Sequence, residues 1–213
     1  MPHKNIFSHI HFVGIKGVGM AALARVAHDR GMCVTGSDVS DTFITDKMLA
    51  EVGIIPTIGF NQGDLPDGVD CVVYGAAHNG VDNLQVVGAR EKGINTITYG
   101  KAIQEIFNDK KIIAVAGTHG KTTTTAMLAT ILERAGYNPS WIIGTGSIPS
   151  LSANGRWGEG DWAVIEADEY VDEIGGKPKF LHLNPYALIV TSLDWDHPDL
   201  FPTHTLYINA FHK

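Results

Sequence analysis

Short apolar runs alternate with helical periodicity along the first half of the chain. The apolar runs predict strands at His9–Val13, Met32–Gly36, Ile54–Ile58, Cys71–Tyr74 and Asn95–Thr98. Between them, apolar residues recur at helical spacing over Met20–Arg30, Asp46–Val52, Leu84–Lys92 and Lys101–Phe107. This alternation is typical of an α/β fold, in which a parallel sheet carries helices on both faces.

A charged stretch at 108–111 separates this unit from a second one, so we predict domains at 1–108 and 109–213. The second unit has the pattern of a helix and four strands, at Lys121–Ala135, Ile112–Ala116, Trp141–Ile143, Trp162–Ile165 and Leu188–Thr191. Segment Gly144–Gly160 is rich in glycine and serine, which favours a loop over a site. A last helical pattern, Thr205–Lys213, has no capping residue at its end.

Composition narrows the class of protein. Of the 213 residues, 44% are hydrophobic and 18% are charged, which is typical of a folded globular chain. The net charge of −7 argues against nucleic acid as a partner, because phosphate binding requires clustered lysine and arginine. No run approaches the ~18–20 apolar residues that span a bilayer, and no secretory signal is visible. We therefore expect a cytoplasmic protein without a membrane partner.

The most informative stretch follows the strand Ile112–Ala116. A glycine-bounded turn leads into a helix-forming run at Lys121, and such a turn binds the phosphates of a nucleoside triphosphate. Lys121 would reach the β- and γ-phosphates, and the Thr122 hydroxyl would ligate Mg²⁺. The predicted nucleotide-binding residues are Gly117, Thr118, His119, Gly120, Lys121, Thr122 and Thr123. Val115 stands at the first glycine of the pattern G-x-x-x-x-G-K-[ST], so an ordinary strand–turn–helix is the alternative.

A second glycine cluster, Gly14, Gly17 and Gly19, follows the first strand. Glycines allow the backbone to approach a diphosphate at a helix N-terminus, although a structural turn is the alternative. The spacing G-x-x-G-x-G differs from the dinucleotide fingerprint G-x-G-x-x-G, which argues against a nicotinamide cofactor. Ser37 and Asp38 follow the second strand, at about the distance where an acidic residue meets a ribose.

Acidic residues and a histidine follow two later strands. Glu166 comes directly after Trp162–Ile165, and Asp196 and His197 follow Leu188–Thr191. Because the carboxyl ends of parallel strands share one edge, we expect these groups to face Lys121 across a common crevice. Oxygen ligands suit Mg²⁺, whereas a solvated strand end and a structural histidine are the alternatives.

Together these residues resemble the Mur ligases, specifically the branch that acts on UDP-N-acetylmuramate. The motifs occur in that family's order: Gly14-x-x-Gly17-x-Gly19-Met20, Gly36-Ser-Asp38, AGTHGKTTTTAM from Ala116 to Met127, Glu166-Ala-Asp-Glu169 and Asp196-His197. The resemblance implies a cytoplasmic, amide-forming ligase of peptidoglycan synthesis that acts through an acyl phosphate. It also implies a Rossmann-like parallel-sheet domain for the UDP-sugar, followed by part of a P-loop-type α/β domain for ATP and Mg²⁺.

The resemblance also implies residue roles. Lys121, Glu166 and His197 would be catalytic, and Thr122, Glu166 and His197 would hold metal. The residues implied for UDP-sugar binding are Gly14, Gly17, Val18, Gly19, Ser37, Asp38, Ala76 and Ala77. Lys16 departs from the family's usual glycine, which we expect to add a cation beside the diphosphate.

Several alternatives stay open at this point. The added amine is either L-alanine or a whole tripeptide, because the phosphate loop favours the first and the longer segment Val171–Lys179 favours the second. Two alternatives belong to other functional classes. One is a non-catalytic sensor of UDP-sugar or nucleotide, and the other is a P-loop GTPase or kinase of another family. Family members continue beyond Lys213, so we expect an N-terminal fragment that binds UDP-sugar, binds nucleotide weakly and does not turn over.

Overall fold

The first of two five-stranded sheets is fully parallel. The computed structural model describes residues 6–173 and 176–212, so the expected helix end at Lys213 lies outside the described residues. The strands are β1 (His9–Val13), β2 (Cys33–Asp38), β3 (Thr57–Ile58), β4 (Cys71–Tyr74) and β5 (Asn95–Thr98), in the order β3-β2-β1-β4-β5. Helices α1 (Val18–Asp29), α2 (Asp46–Glu51) and α3 (Leu84–Glu91) lie between these strands in the chain, and α4 (Tyr99–Ile106) follows β5. The predicted alternation is confirmed.

The second sheet is parallel apart from one short strand. Its strands are β6 (Lys111–Ala116), β7 (Ser140–Ile142), β8 (Gly155–Arg156), β9 (Trp162–Glu166) and β10 (Ala187–Val190), in the order β10-β6-β9-β7-β8. Helix α5 (Lys121–Arg134) follows β6, and α6 (His204–Phe211) follows β10. Strand β8 runs antiparallel to β7 within the segment that we expected to be a loop. The α/β class is confirmed, whereas the boundary between 108 and 109 stays a prediction.

Helix α1 joins the two sheets. Its alanine-rich face is buried in a cluster that contains Ile10 and Phe12 of the first sheet and Ile142 and Ile165 of the second. Small side chains let the helix lie close to β8, where Gly155 packs on the backbone of Ala22. Among the described helices, none has the length and apolar character needed to cross a bilayer.

The contact between Gly155 and α1 generates a stability prediction. A Cβ atom at Gly155 would lie 2.1 Å from the carbonyl oxygen of Ala22, so Gly155→Ala must displace backbone. We expect it to lower the free energy of unfolding by about 1–3 kcal/mol in urea titrations, as overpacking does. Gly63→Ala is the matched control, because a Cβ there meets no atom within 4 Å. Equal stability of the two variants would contradict the close packing.

A buried polar network lies beneath the first sheet. His11 contacts the Thr35 hydroxyl through Nδ1 at 3.0 Å and Gln85 Oε1 through Nε2 at 3.3 Å. The Ser37 hydroxyl donates to the same Gln85 oxygen. Burial disfavours a charged imidazole, so the pKa of His11 falls from 6.5 to about 4.

This shift predicts a pH dependence of stability. Between pH 6.5 and 4, His11 is protonated in the unfolded chain but not in the folded chain. Acidification therefore stabilises the unfolded chain and lowers the free energy of unfolding. The loss should reach at most about 3 kcal/mol. We expect His11→Gln to flatten the fall in unfolding free energy between pH 7 and pH 4.5, measured by urea titration at each pH. The same replacement at the exposed His28 should leave the wild-type slope; equal slopes in all three proteins would contradict the assignment.

Candidate active site

The loop between β6 and α5 has the geometry of a phosphate loop. Gly117 and Gly120 have φ values of +117° and +80°, which other residues rarely adopt. A Cβ atom at Gly117 would also lie 2.5 Å from the Ser192 carbonyl oxygen. Helix α5 begins at Lys121, and the N–H groups of its first turn have no partner within the helix. The turn can therefore bind an anion.

Lys121 forms a buried ion pair at this turn. Its Nζ lies 2.9 Å from Glu169 Oε2 and donates to the Gly117 carbonyl oxygen at 2.6 Å. The Glu169 side chain is only 1% exposed, so its charge requires a close cation. Glu169 therefore holds the ammonium group of Lys121 at the phosphate loop.

Thr122 and Glu166 form a second polar contact on the adjacent strand. Residue Glu166 ends β9, where it pairs with Val115 of β6. The Thr122 hydroxyl donates to Glu166 Oε1 at 2.8 Å, and the Gly144 N–H donates to Oε2 at 2.6 Å. A Cβ at Gly144 would lie 2.9 Å from Glu166 Oε1, so glycine leaves room for the carboxylate. A hydroxyl beside a carboxylate is a donor set that Mg²⁺ prefers.

His197 lies with a different carboxylate. Its Nε2 is 3.7 Å from Glu169 Oε1, and Glu169, Asp196 and His197 offer ligand atoms that all lie within 4.8 Å of one another. His197 adopts a φ of +53°, and its N–H donates to Asp196 Oδ1 at 2.7 Å. The structure thus connects His197 to Lys121 through Glu169.

Two cavities meet at this edge of the sheets. The smaller, of about 280 Å³, is lined by Lys121, Gly144, Glu166 and Asp168, among others. The larger, of about 490 Å³, is lined by loops of the first sheet, including the predicted residues Gly14, Gly17, Val18, Gly19, Asp38, Ala76 and Ala77. Gly19, Tyr99 and Lys179 line both cavities, so these three residues form a shared wall.

The residues that line the two cavities come from two regions of the chain, and each region matches a family model. The description "Mur ligase family, catalytic domain" fits residues 9–111, and "Mur ligase middle domain" fits residues 115–213. The chain belongs to the Mur ligase family.

Two curated relatives are UDP-N-acetylmuramate–L-alanine ligases. That of Desulfitobacterium hafniense is 42% identical over 194 residues, covering 91% of this chain and 41% of the relative. That of Carboxydothermus hydrogenoformans is 39% identical over 204 residues, covering 96% of this chain and 42% of the relative. This Mur ligase chain thus spans about two fifths of the length of these relatives.

Solved structures of Mur ligases have the same architecture. The UDP-N-acetylmuramate:L-alanyl-gamma-D-glutamyl-meso-diaminopimelate ligase of Neisseria meningitides matches with a TM-score of 0.86 and 30% identity, over 97% of this chain and 67% of that one. The UDP-N-acetylmuramate-alanine ligase of Thermotoga maritima matches with a TM-score of 0.77 and 29% identity, over 96% of this chain and 46% of that one.

Other predicted residues of this Mur ligase lie around the phosphate loop. The N–H groups of Thr118 and His119 donate to Ser192, at 3.1 Å to its carbonyl and 3.0 Å to its hydroxyl oxygen. The Thr118 hydroxyl contacts the Tyr207 hydroxyl at 2.8 Å. Thr123 is exposed beside Thr122. The segment after β10 therefore supports the loop from one side.

The structure corrects two expectations about the first domain, one for Ser37 and one for Lys16. The buried Ser37 hydroxyl faces Gln85 rather than the larger cavity, although the Ser37 carbonyl accepts from the Gly14 N–H at 2.9 Å. Lys16 adds no free cation, because its Nζ donates to the carbonyl oxygens of Val39 and Asp41, each at 2.9 Å. The Asp38 carboxylate accepts from the Lys16 N–H at 2.7 Å, so it fixes the loop as well as lining the cavity.

Four site residues carried no predicted role. Glu169 belongs to the acidic motif, but the sequence could not show which carboxylate of that motif is buried beside Lys121. Gly144 and Tyr99 carry no motif, and Lys179 had been noted only as part of a longer segment. The signal that could have found Lys179 is its place in the same connecting segment as the acidic residues that follow β9.

The steric requirement at Gly117 is testable. Gly117→Ala should lower the free energy of unfolding by more than Gly59→Ala, where φ is also well above the usual left-handed value (+94°) but the nearest atom to a Cβ lies 3.9 Å away. The control should cost about 1–2 kcal/mol, since only the left-handed backbone is penalised. The difference in urea titrations measures the clash with Ser192, and a zero difference would contradict it.

Proposed function

We propose that the protein to which these residues belong is a cytoplasmic ligase that uses ATP and Mg²⁺ to join an amine to the carboxylate of UDP-N-acetylmuramate in peptidoglycan synthesis. The shared wall of the two cavities carries this proposal. A UDP-sugar in the larger cavity would present its carboxylate to the smaller one, where Lys121 and Glu166 lie. The names of the similar ligases support the same reaction. That the 213 residues alone do not turn over stays a prediction.

The donor sets fit ATP and Mg²⁺. Thr122 and Glu166 would hold one ion through oxygen atoms, and His197 with Glu169 and Asp196 would hold a second. When bound, Mg²⁺ neutralises charge on the phosphates and polarises the transferred group. The buried Oε2 of Glu169 has no hydrogen bond of good geometry, although it is ion-paired with Lys121, so it has capacity for a further ligand.

The residues would catalyse two displacements by positioning and charge neutralisation. In the first, the sugar carboxylate attacks the γ-phosphorus; a C–O–P linkage forms and ADP leaves. Lys121 would donate to the transferring phosphoryl oxygens, while the backbone N–H groups after Gly120 bind the neighbouring phosphate. In the second, the amine attacks the acyl carbon, an amide forms, and inorganic phosphate leaves with the bonding electrons and takes up the proton that the amine loses.

In the first domain, backbone groups would bind the diphosphate of the UDP-sugar. Gly14, Gly17 and Gly19 precede or begin α1, so N–H groups at the helix start face the larger cavity. Asp38 Oδ1 accepts from the Val39 N–H at 2.7 Å and lies 3.6 Å from His78 Nε2, and its remaining lone pair would accept from a ribose hydroxyl. Ala76 and Ala77 present a small, open wall, and Ser37 supports the loop through its carbonyl.

The amine has two candidates. The curated relatives favour L-alanine, which we adopt, whereas the Neisseria structure, with its high structural similarity, favours a tripeptide. A non-catalytic sensor is the weaker alternative, because a sensor has no use for two separate sets of metal donors beside one lysine.

Replacement of Lys121 tests the nucleotide site. Lys121→Met should weaken Mg·ATP binding at least tenfold, since a charge-assisted hydrogen bond is worth about 1.5–3 kcal/mol. The affinity for UDP-N-acetylmuramate should change less than twofold, because that ligand lies in the larger cavity. Both are measured by titration calorimetry. Lys111→Met, at an exposed lysine of β6, is the control, and unchanged ATP affinity in Lys121→Met would refute the site.

A further inference from the structure

Lys179 lies where the two cavities meet, outside the residues that the mechanism uses. It lines the smaller cavity together with Lys121 and Glu166, and the larger cavity together with Gly14 and Asp38. A cation that borders both spaces can contact a group that extends from one into the other.

The local fold fixes the position of Lys179. Its N–H donates to the Tyr170 carbonyl oxygen at 2.8 Å, and the next N–H, of Phe180, donates to the Asp168 carbonyl oxygen at 3.1 Å. These bonds return the chain to the end of β9. The Lys179 Nζ lies 5.9 Å from the ring centroids of both Tyr99 and Tyr170, so two aromatic faces flank the ammonium group.

The larger cavity offers an anionic ligand few positively charged side chains. Among the described residues that line it, Lys179 is the sole lysine or arginine. The two aspartates there each accept a backbone N–H: Asp38 accepts from the Lys16 N–H at 2.7 Å, and Asp172 accepts from the Gly100 N–H at 2.7 Å. An anionic ligand in this cavity therefore finds one side-chain ammonium, and it lies at the junction with the smaller cavity.

Lys179 retains donors for a ligand. Its Nζ is 2.7 Å from Asp168 Oδ2, and its side chain is 24% exposed. An ammonium group has three donors, so one bond to Asp168 leaves others for a second anion.

We propose that Lys179 binds the lactyl carboxylate of UDP-N-acetylmuramate and holds it at the junction of the two cavities. The proposal rests on the proposed function, in which the sugar lies in the larger cavity and its carboxylate must reach the phosphoryl group in the smaller one. Lys179 then distinguishes UDP-N-acetylmuramate from UDP-N-acetylglucosamine, which has the same nucleotide and sugar ring but no lactyl carboxylate. It is a substrate-binding residue that also sets specificity.

Binding of the two UDP-sugars to this chain tests the proposal by titration calorimetry. Lys179→Met should weaken binding of UDP-N-acetylmuramate at least tenfold and change binding of UDP-N-acetylglucosamine less than twofold, because only the first offers a carboxylate. Lys179→Arg should retain most of the affinity. Lys101→Met, at a lysine of α4 paired with Glu105 at 2.9 Å, should bind both sugars as wild type does.

A second variant separates binding from structure. Asp168→Asn breaks the same ion pair but leaves the ammonium, so affinity for UDP-N-acetylmuramate should be kept or increased. Equal losses in Asp168→Asn and Lys179→Met, or equal losses for both sugars in Lys179→Met, would overturn the role of Lys179. Wild-type chain that binds neither sugar would instead overturn the proposed function and this inference with it.

Discussion

The close contact between helix α1 and the second sheet is the constraint on which the site depends. Gly155 of β8 packs on the Ala22 backbone, and the Asn154 side chain donates to the Val18 carbonyl oxygen at 3.3 Å. Val18 begins α1, and Gly19 lines both cavities. The helix that starts at the glycine-rich loop after β1 is therefore the helix that contacts the second sheet. This arrangement sets the distance between the two cavities.

Charge compensation inside the site follows from that proximity. Lys121 is paired with Glu169, and Glu166 accepts from Thr122 and from Gly144. In a poorly solvated crevice each carboxylate needs such a partner, because an unpaired buried charge is costly. The chain's own acidic groups thus occupy the cationic and donor groups that phosphates would use.

The sequence predicted elements and loops better than side-chain directions. Strands such as β4 and β9 were predictable because continuous apolar runs match burial on both faces, whereas β8 was not, since a strand of two residues is too short to carry a periodic signal. Ser37 and Asp38 show the limit most clearly. Neighbouring strand residues point to opposite faces, so Asp38 lines the cavity while Ser37 faces Gln85. Burial of Glu169 beside Lys121 required the tertiary structure, since the motif holds three carboxylates of equal standing.

The segment that carries Lys179 also connects the larger cavity with the second sheet. Asp172, in the same segment, accepts from the Gly100 N–H at the start of α4, and a Cβ at Gly100 would lie 2.6 Å from that carboxylate. Burial raises the pKa of Asp172, and the helix N–H and the Lys179 charge oppose that rise. Because Tyr99 of α4 lines both cavities and is adjacent to this contact, a shift of the segment would alter both spaces together. The Asp172 carboxylate therefore helps to position part of the wall that the two cavities share.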